Sequence, residues 1–249
     1  MNESHAPLIL ENPAGKGIVV FIHGFMGSPR QFDKLVKIVY QEGYSAAALL
    51  LPGHGGSAKD FSSGSYIRWQ NHANSEIEGF SSNYENIWLV GHSMGCLLAI
   101  NAAVKYSRYV RGIFLIACPF KITLFSLYAA KVRFRQIFRH SDDSMKAAYI
   151  DSCSVSPSPS LIWRILRPAA ELWKLIRVAR ISVTEVQMPV IAAYSTADEL
   201  VSFKSLDILK TGLHVAPFKQ VVLSESLHTY FPDYEWSVIE RNLIDMITV

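Results

Sequence analysis

The chain has 249 residues, 50% of them hydrophobic and 12% aromatic, with 18% charged. That supplies one substantial core, fits a single α/β domain of ~200–250 residues, and excludes a disordered chain or a coiled coil. Twenty-four Lys and Arg against 21 Asp and Glu leave a formal charge of +3, too small to imply nucleic-acid binding.

Three cysteines, Cys96, Cys118 and Cys153, are odd in number and lack the close spacing of a metal site. They argue against a disulfide framework and for a reducing, cytoplasmic setting. The first residues show no basic segment followed by an apolar run, and no uncharged apolar stretch reaches the ~18–20 residues of a spanning helix. A soluble protein is expected.

In chain order, residues 8–10 read as a short edge strand. Residues 17–23 (GIVVFIH) form a β-branched, aromatic run typical of a strand buried on both faces. Ser28 and Pro29 open a helix to about residue 42, serine as cap and proline in the first turn. Residues 44–51 (YSAAALLL) are a second buried strand, ended by the turn PGHGG. A helix of weaker pattern covers 65–81. The strand NIWLV (86–90), an apolar helix from Ser93 to about residue 106, and the strand VRGIFLIA (110–117) follow. Strand 189–194, helix 200–213, strand 219–223 and a last helix over 233–247 complete the alternation. Buried strands separated by helices predict an α/β fold, doubly wound around a mostly parallel sheet.

One stretch breaks that rhythm. Residues 119–180 hold no clear strand, but basic helical segments interrupted by the Ser/Pro run SCSVSPSPS at 152–160. An excursion of 62 residues is too long for an ordinary loop. It reads as a helical cap (119–180) inserted into a core made of residues 1–118 and 181–249.

The strongest local signal is Gly91-His92-Ser93-Met94-Gly95. A bare G-x-S-x-G recurs by chance, and its plain reading is a strand–helix turn with a capping serine. Here it follows NIWLV directly and opens an apolar helix, the context a nucleophile elbow requires. The turn is so tight that flanking positions must be glycine, and the hydroxyl is exposed at the positive end of the helix.

With His23-Gly24-Phe25 after the first central strand, Pro52-Gly53-His54-Gly55-Gly56-Ser57 after the next, and GHSMG following, the chain resembles the α/β-hydrolase superfamily over nearly its whole length. Within it, the set is similar to small bacterial carboxylesterases and monoacylglycerol lipases. The resemblance implies a Ser-acid-His order, with acid and base on loops after the last strands. Asp198, after PVIAAYSTA, matches the acid; His228, after KQVVLSESL, matches the base. Glu199 is adjacent to Asp198 but is expected to point elsewhere, and Asp233 and His214 lie in or beside helices. His23 and His54 suit turn stabilisation and His92 suits packing beside the elbow. His5, His72 and His140 read as surface residues.

The implied mechanism is two-step acyl transfer. His228 takes the Ser93 proton during attack on a carbonyl and returns it to the leaving group, an exchange that an ordinary imidazole with a pKa of ~6.5 suits. Asp198 holds the ring in the useful tautomer. By motif position the oxyanion donors are the main-chain N–H groups of Phe25 and Met94. Their side chains are then free to line the acyl pocket, although Phe25 also reads as a plain core aromatic. No pattern asks for a metal or an organic cofactor.

The charge divides unevenly. Residues 119–180 carry eleven basic and four acidic side chains, so the expected cap holds +7 and the remainder −4. Interleaved are Phe120, Phe125, Tyr128, Phe134, Phe138, Trp163 and Trp173. This suits a lid over a fatty chain that touches an anionic lipid surface, and equally a solvated outer face whose long side chains snorkel over a lid core. Leu172, Leu175, Ile176 and Ala179 share one helical face and pack on something apolar, either protein or ligand. The expected activity is hydrolysis of a small-molecule acyl ester with an apolar acyl group. Amide, peptide or carbon–carbon bond hydrolysis on the same triad and a non-catalytic binding role are the alternatives.

Overall fold

The computed structural model describes residues 5–123, 152–155 and 161–248. Seven strands form one sheet: β1 (Leu8–Leu10), β2 (Ile18–Ile22), β3 (Ser45–Leu49), β4 (Ile87–His92), β5 (Val110–Ile116), β6 (Val190–Ser195) and β7 (Phe218–Leu223). Their order is β1-β3-β2-β4-β5-β6-β7. Only β1 runs antiparallel, pairing Leu8 to Ala48 and Leu10 to Ala46; every other pair is parallel. The expected doubly wound α/β sheet is therefore present.

The described helices are α1 (Asp33–Gln41), α2 (Ala58–Ser62), α3 (Tyr66–Ser81), α4 (Met94–Lys105), α5 (Leu161–Arg164), α6 (Leu166–Ser182), α7 (Lys204–Gly212) and α8 (Asp233–Thr248). They cover both faces of the sheet, so the central strands alternate between two cores. Ile18, Val20, Ile22 and Leu89 face the core that holds α3, α4 and α6. Val19, Phe21 and Val90 face the core that holds α1 and α8.

Three departures from the sequence reading have local causes. The helix expected from Ser28 begins as a 3₁₀ turn, Pro29–Phe32, and becomes α-helical only at Asp33. Ser28 caps it as expected, its Oγ accepting from the Arg30 N–H. Helix α2 was not expected, although Ser57 and Asp60 form a reciprocal capping box legible as S-x-x-D. The helix expected from residue 200 starts only at Lys204. The N–H groups of Leu200 and Val201 are already held by the Asp198 carboxylate, and Val201 bridges to Ile122.

Helix α6 answers the question left by its apolar face. Leu175, Ile176 and Ala179 are buried in the main core with α4, so that face packs on protein. The opposite side leaves Trp173 and Ile181 exposed. The segments expected between 124 and 151, with Phe125, Tyr128, Phe134, Phe138 and His140, and residues 156–160 of the Ser/Pro run lie outside the described residues. No helix among the described residues is long and apolar enough to cross a membrane.

Candidate active site

Strand β4 passes into α4 through a single residue. Ser93 takes φ 53° and ψ −122°, a conformation that L residues rarely adopt and that the surroundings must enforce. A Cβ on Gly95 would sit 1.9 Å from the Ile22 carbonyl oxygen, and one on Gly91 would sit 2.5 Å from the Cys96 backbone. Both glycines are therefore demanded by close approach. The Ser93 N–H donates to Ile116 O at 2.8 Å, anchoring the turn to β5. Although Ser93 occupies the cap position of α4, its side chain makes no capping bond, which removes the plain reading of that serine.

The Ser93 hydroxyl instead lies 3.0 Å from His228 Nε2, and His228 Nδ1 lies 2.9 Å from Asp198 Oδ2. The His228 and Asp198 side chains are only 8% and 4% exposed. Burial opposes ionisation of Asp198, but the charge and hydrogen bond of His228 and the N–H groups of Val201 and Leu200 outweigh it. Its pKa falls below the ordinary carboxylate value. An ionised Asp198 fixes the imidazole proton on Nδ1 and leaves Nε2 to accept from the Ser93 hydroxyl.

The loop bearing His228 is held by groups from three other elements. Glu199, expected to point elsewhere, is 3% exposed and accepts the His228 N–H at 2.9 Å. It neighbours Asp198 in sequence, yet serves the main chain of His228 rather than its ring. His92 Nε2 donates to the His228 carbonyl at 2.8 Å. Burial and the neighbouring His228 push the His92 pKa down to about 3, so the ring stays neutral. At the start of α8, Glu235 accepts the N–H groups of Ser224, Glu225 and Ser226 at 2.6, 3.1 and 2.8 Å, and the Ser226 hydroxyl. Burial raises its pKa, but those donors more than compensate and hold the carboxyl below its ordinary value.

The loop after β2 runs against the elbow serine: a Cβ on Gly24 would meet the Ser93 Cβ at 2.9 Å. His23 Nδ1 donates to Gly24 O at 2.9 Å, and its Nε2 accepts the Leu51 N–H at 3.0 Å. His54 Nε2 accepts the Met26 N–H at 3.2 Å. Both histidines thus stabilise turns as expected, and both are kept neutral by burial, His54 with a pKa lowered to about 4. Phe25 stacks edge-on against Phe61 and Trp69, with centroids 4.9 and 6.2 Å away.

Met94 is a correction. As the first residue of α4 its N–H has no acceptor within the helix, but its side chain is fully buried in the main core and so is not free to line a pocket. His5, expected at the surface, has Nδ1 2.8 Å from the Ser28 hydroxyl. Asp233 is 97% exposed beside Lys34, and His214 is exposed; neither approaches the serine.

Residues 13–235 match the family described as serine aminopeptidase, S33 (Hydrolase_4). The chain is 33% identical over 105 residues to the probable lysophospholipase BODYGUARD 4 of Arabidopsis thaliana, taking in 41% of this chain and 25% of that protein. It thus spans only a quarter of that relative's length. Against the thermostable monoacylglycerol lipase of a Bacillus species it is 24% identical, over 95% of this chain and 92% of the relative. A solved structure from work on LipS and LipT, two metagenome-derived lipolytic enzymes, superposes with a TM-score of 0.79 at 18% identity, covering 99% of both chains. The family match takes in the elbow and the loops of Asp198 and His228 together. On that extent, the chain belongs to the serine aminopeptidase S33 family of α/β hydrolases, and the relatives it matches include proteins named as lipases.

Proposed function

We propose that the chain hydrolyses carboxylic esters of apolar acyl groups, as a carboxylesterase or monoacylglycerol lipase does, through an acyl-enzyme on Ser93. The observation that carries this reading is the line Ser93 Oγ, His228 and Asp198, with separations of 3.0 and 2.9 Å. His228 Nε2 takes the hydroxyl proton as Ser93 Oγ bonds to the ester carbon. The tetrahedral oxyanion is held by the N–H groups of Phe25 and Met94. It collapses with loss of the alcohol, which receives the proton from Nε2. Water then repeats the sequence on the acyl-enzyme, releasing the acid and restoring the serine. Every group used belongs to the chain, and no cofactor enters.

The insertion at 119–180 is proposed as the cap over the acyl chain, rooted in the core by α6. Its described outer side supports contact with an anionic lipid surface. Trp163, Leu166 and Trp173 are 77, 59 and 45% exposed, close in sequence to the exposed cations Arg167, Lys174 and Arg177. Co-sedimentation with phosphatidylserine-containing vesicles, but not with neutral ones, is the expected result.

The ester assignment is tested with p-nitrophenyl butyrate. Wild type turns it over, and Ser93→Ala loses about 10⁴-fold or more in kcat while keeping its thermal transition. Persistent turnover by the purified variant overturns the role of Ser93. Because the family carries an aminopeptidase description, a parallel panel of aminoacyl anilides belongs in the same experiment. A preference for anilides replaces the ester reading with an amide one on the same serine.

A further inference from the structure

Ser154 lies in the inserted stretch, far in sequence from everything it touches, yet it is only 4% exposed. Its N–H donates to the Met26 carbonyl at 2.9 Å. Its hydroxyl donates to the Gly27 carbonyl at 2.5 Å and accepts the Gly55 N–H at 3.1 Å. One serine thereby fills a main-chain donor, a side-chain donor and a side-chain acceptor on two loops at once.

The first of those loops runs beside Ser93, where a Cβ on Gly24 would meet the Ser93 Cβ at 2.9 Å. Gly24 to Gly27 form a tight turn closed by the Gly27 N–H on Gly24 O at 2.9 Å, and Met26 within it sits at φ 58°, in the left-handed region. The Met26 peptide is gripped from both directions. Its N–H goes to His54 in the PGHGG loop, and its carbonyl goes to Ser154 in the insertion. Nothing within the turn itself supplies the second grip. Phe25, whose N–H is the proposed oxyanion donor, immediately precedes this clamped peptide.

We propose that Ser154 is a positioning residue that sets the Phe25 N–H for the developing oxyanion. It touches neither substrate nor reacting atoms, and acts through the carbonyls of Met26 and Gly27. This rests on the reading of Ser93 as nucleophile. A donor helps the transition state only when held at ~2.7–3.1 Å from the charge that forms there, so a loosened loop costs transition-state binding and leaves ground-state binding nearly untouched. A residue serving only the stability of the insertion gives no such asymmetry.

The test compares wild type with Ser154→Ala, Ser154→Cys and Ser154→Thr on p-nitrophenyl butyrate. An alkyl boronic acid, which forms an anionic tetrahedral adduct on a nucleophilic serine, probes the oxyanion site directly. In Ser154→Ala, kcat is expected to fall ten- to a hundredfold with KM within twofold, and the boronate Ki to rise by the same factor. Ser154→Cys keeps the volume but bonds weakly. It shows the same pattern and serves if the alanine variant fails to fold. Ser154→Thr, which keeps the hydroxyl, recovers most of kcat. Wild-type kcat and boronate affinity in the folded alanine or cysteine variant overturn the proposal, as does a loss confined to KM or thermal stability. Ser93→Ala in the same assay separates the two readings. If it stays active, the nucleophile assignment fails; if it is inactive while Ser154→Ala is unimpaired, only the role of Ser154 falls.

Discussion

The serine and the histidine of this site are held by opposite means. The Ser93 turn is fixed by exclusion. Glycines at 91 and 95 let backbones approach where a single carbon has no room, and one bond to Ile116 completes the arrangement. The His228 loop is fixed by attraction, through Glu199, Glu235 and His92. Steric fixation is local and all-or-none; fixation by carboxylates is long-range and divisible. The elbow should therefore fail abruptly, and the His228 loop by degrees.

Gly95→Ala breaks the first arrangement outright. With a Cβ 1.9 Å from the Ile22 oxygen, strand and helix cannot both keep their places, and a loss of more than about 4 kcal/mol is expected, seen as absent or sharply destabilised soluble protein in urea unfolding. A stable, active variant would show that the elbow is less constrained than its packing implies. Glu235→Ala tests the second arrangement. Three N–H groups and two hydroxyls lose their acceptor, those of Ser226 buried, and a fall of about 3 kcal/mol with a lower thermal midpoint is expected. An unchanged midpoint would mean that water replaces the carboxylate at no cost.

Acid probes the neutral histidines on both sides. His92 and His54, with pKa values lowered to about 3 and 4, stay neutral in the fold, while the unfolded chain protonates near 6.5. Their stabilisation is complete above pH 6.5 and is lost as pH falls towards the folded values, reaching about 2 kcal/mol for each at pH 5. The thermal midpoint should drop steadily from pH 7 to pH 5, and a flat profile would contradict neutral burial. The smallest effect is expected at Glu199. Glu199→Ala removes one bond to the His228 loop and should lower kcat about tenfold, roughly 1.4 kcal/mol, with KM within twofold. A loss of stability without a loss of kcat would make Glu199 a purely structural residue.

The same division explains what the sequence could reveal. Strands β2 to β7 and the elbow announce themselves through runs of neighbours, because burial on both faces and tight turns leave their marks within a few residues. Asp198 and His228 were reached through the resemblance, by their places after β6 and β7. Glu199, Glu235 and Ser154 carried no local mark. Their partners lie 29, 9 to 11, and as many as 128 residues away, and a carboxylate or serine bonded to main chain looks like any other polar residue in a loop. The late start of α7 was hidden for a related reason: the Asp198 carboxylate already holds the N–H groups that would have begun the helix.

Strand β1 is three residues long and is the sole antiparallel member of the sheet. It closes the flank of β3, whose sequence Ser-Ala-Ala-Ala-Leu offers side chains too small to shield an open row of peptide groups. Without Leu8–Leu10, that flank becomes a template for edge-to-edge pairing between molecules. Its contribution is thus less to the free energy of one molecule than to keeping neighbouring molecules apart. Shortening the chain past Leu10 should show first as self-association, at concentrations where the intact protein stays dispersed.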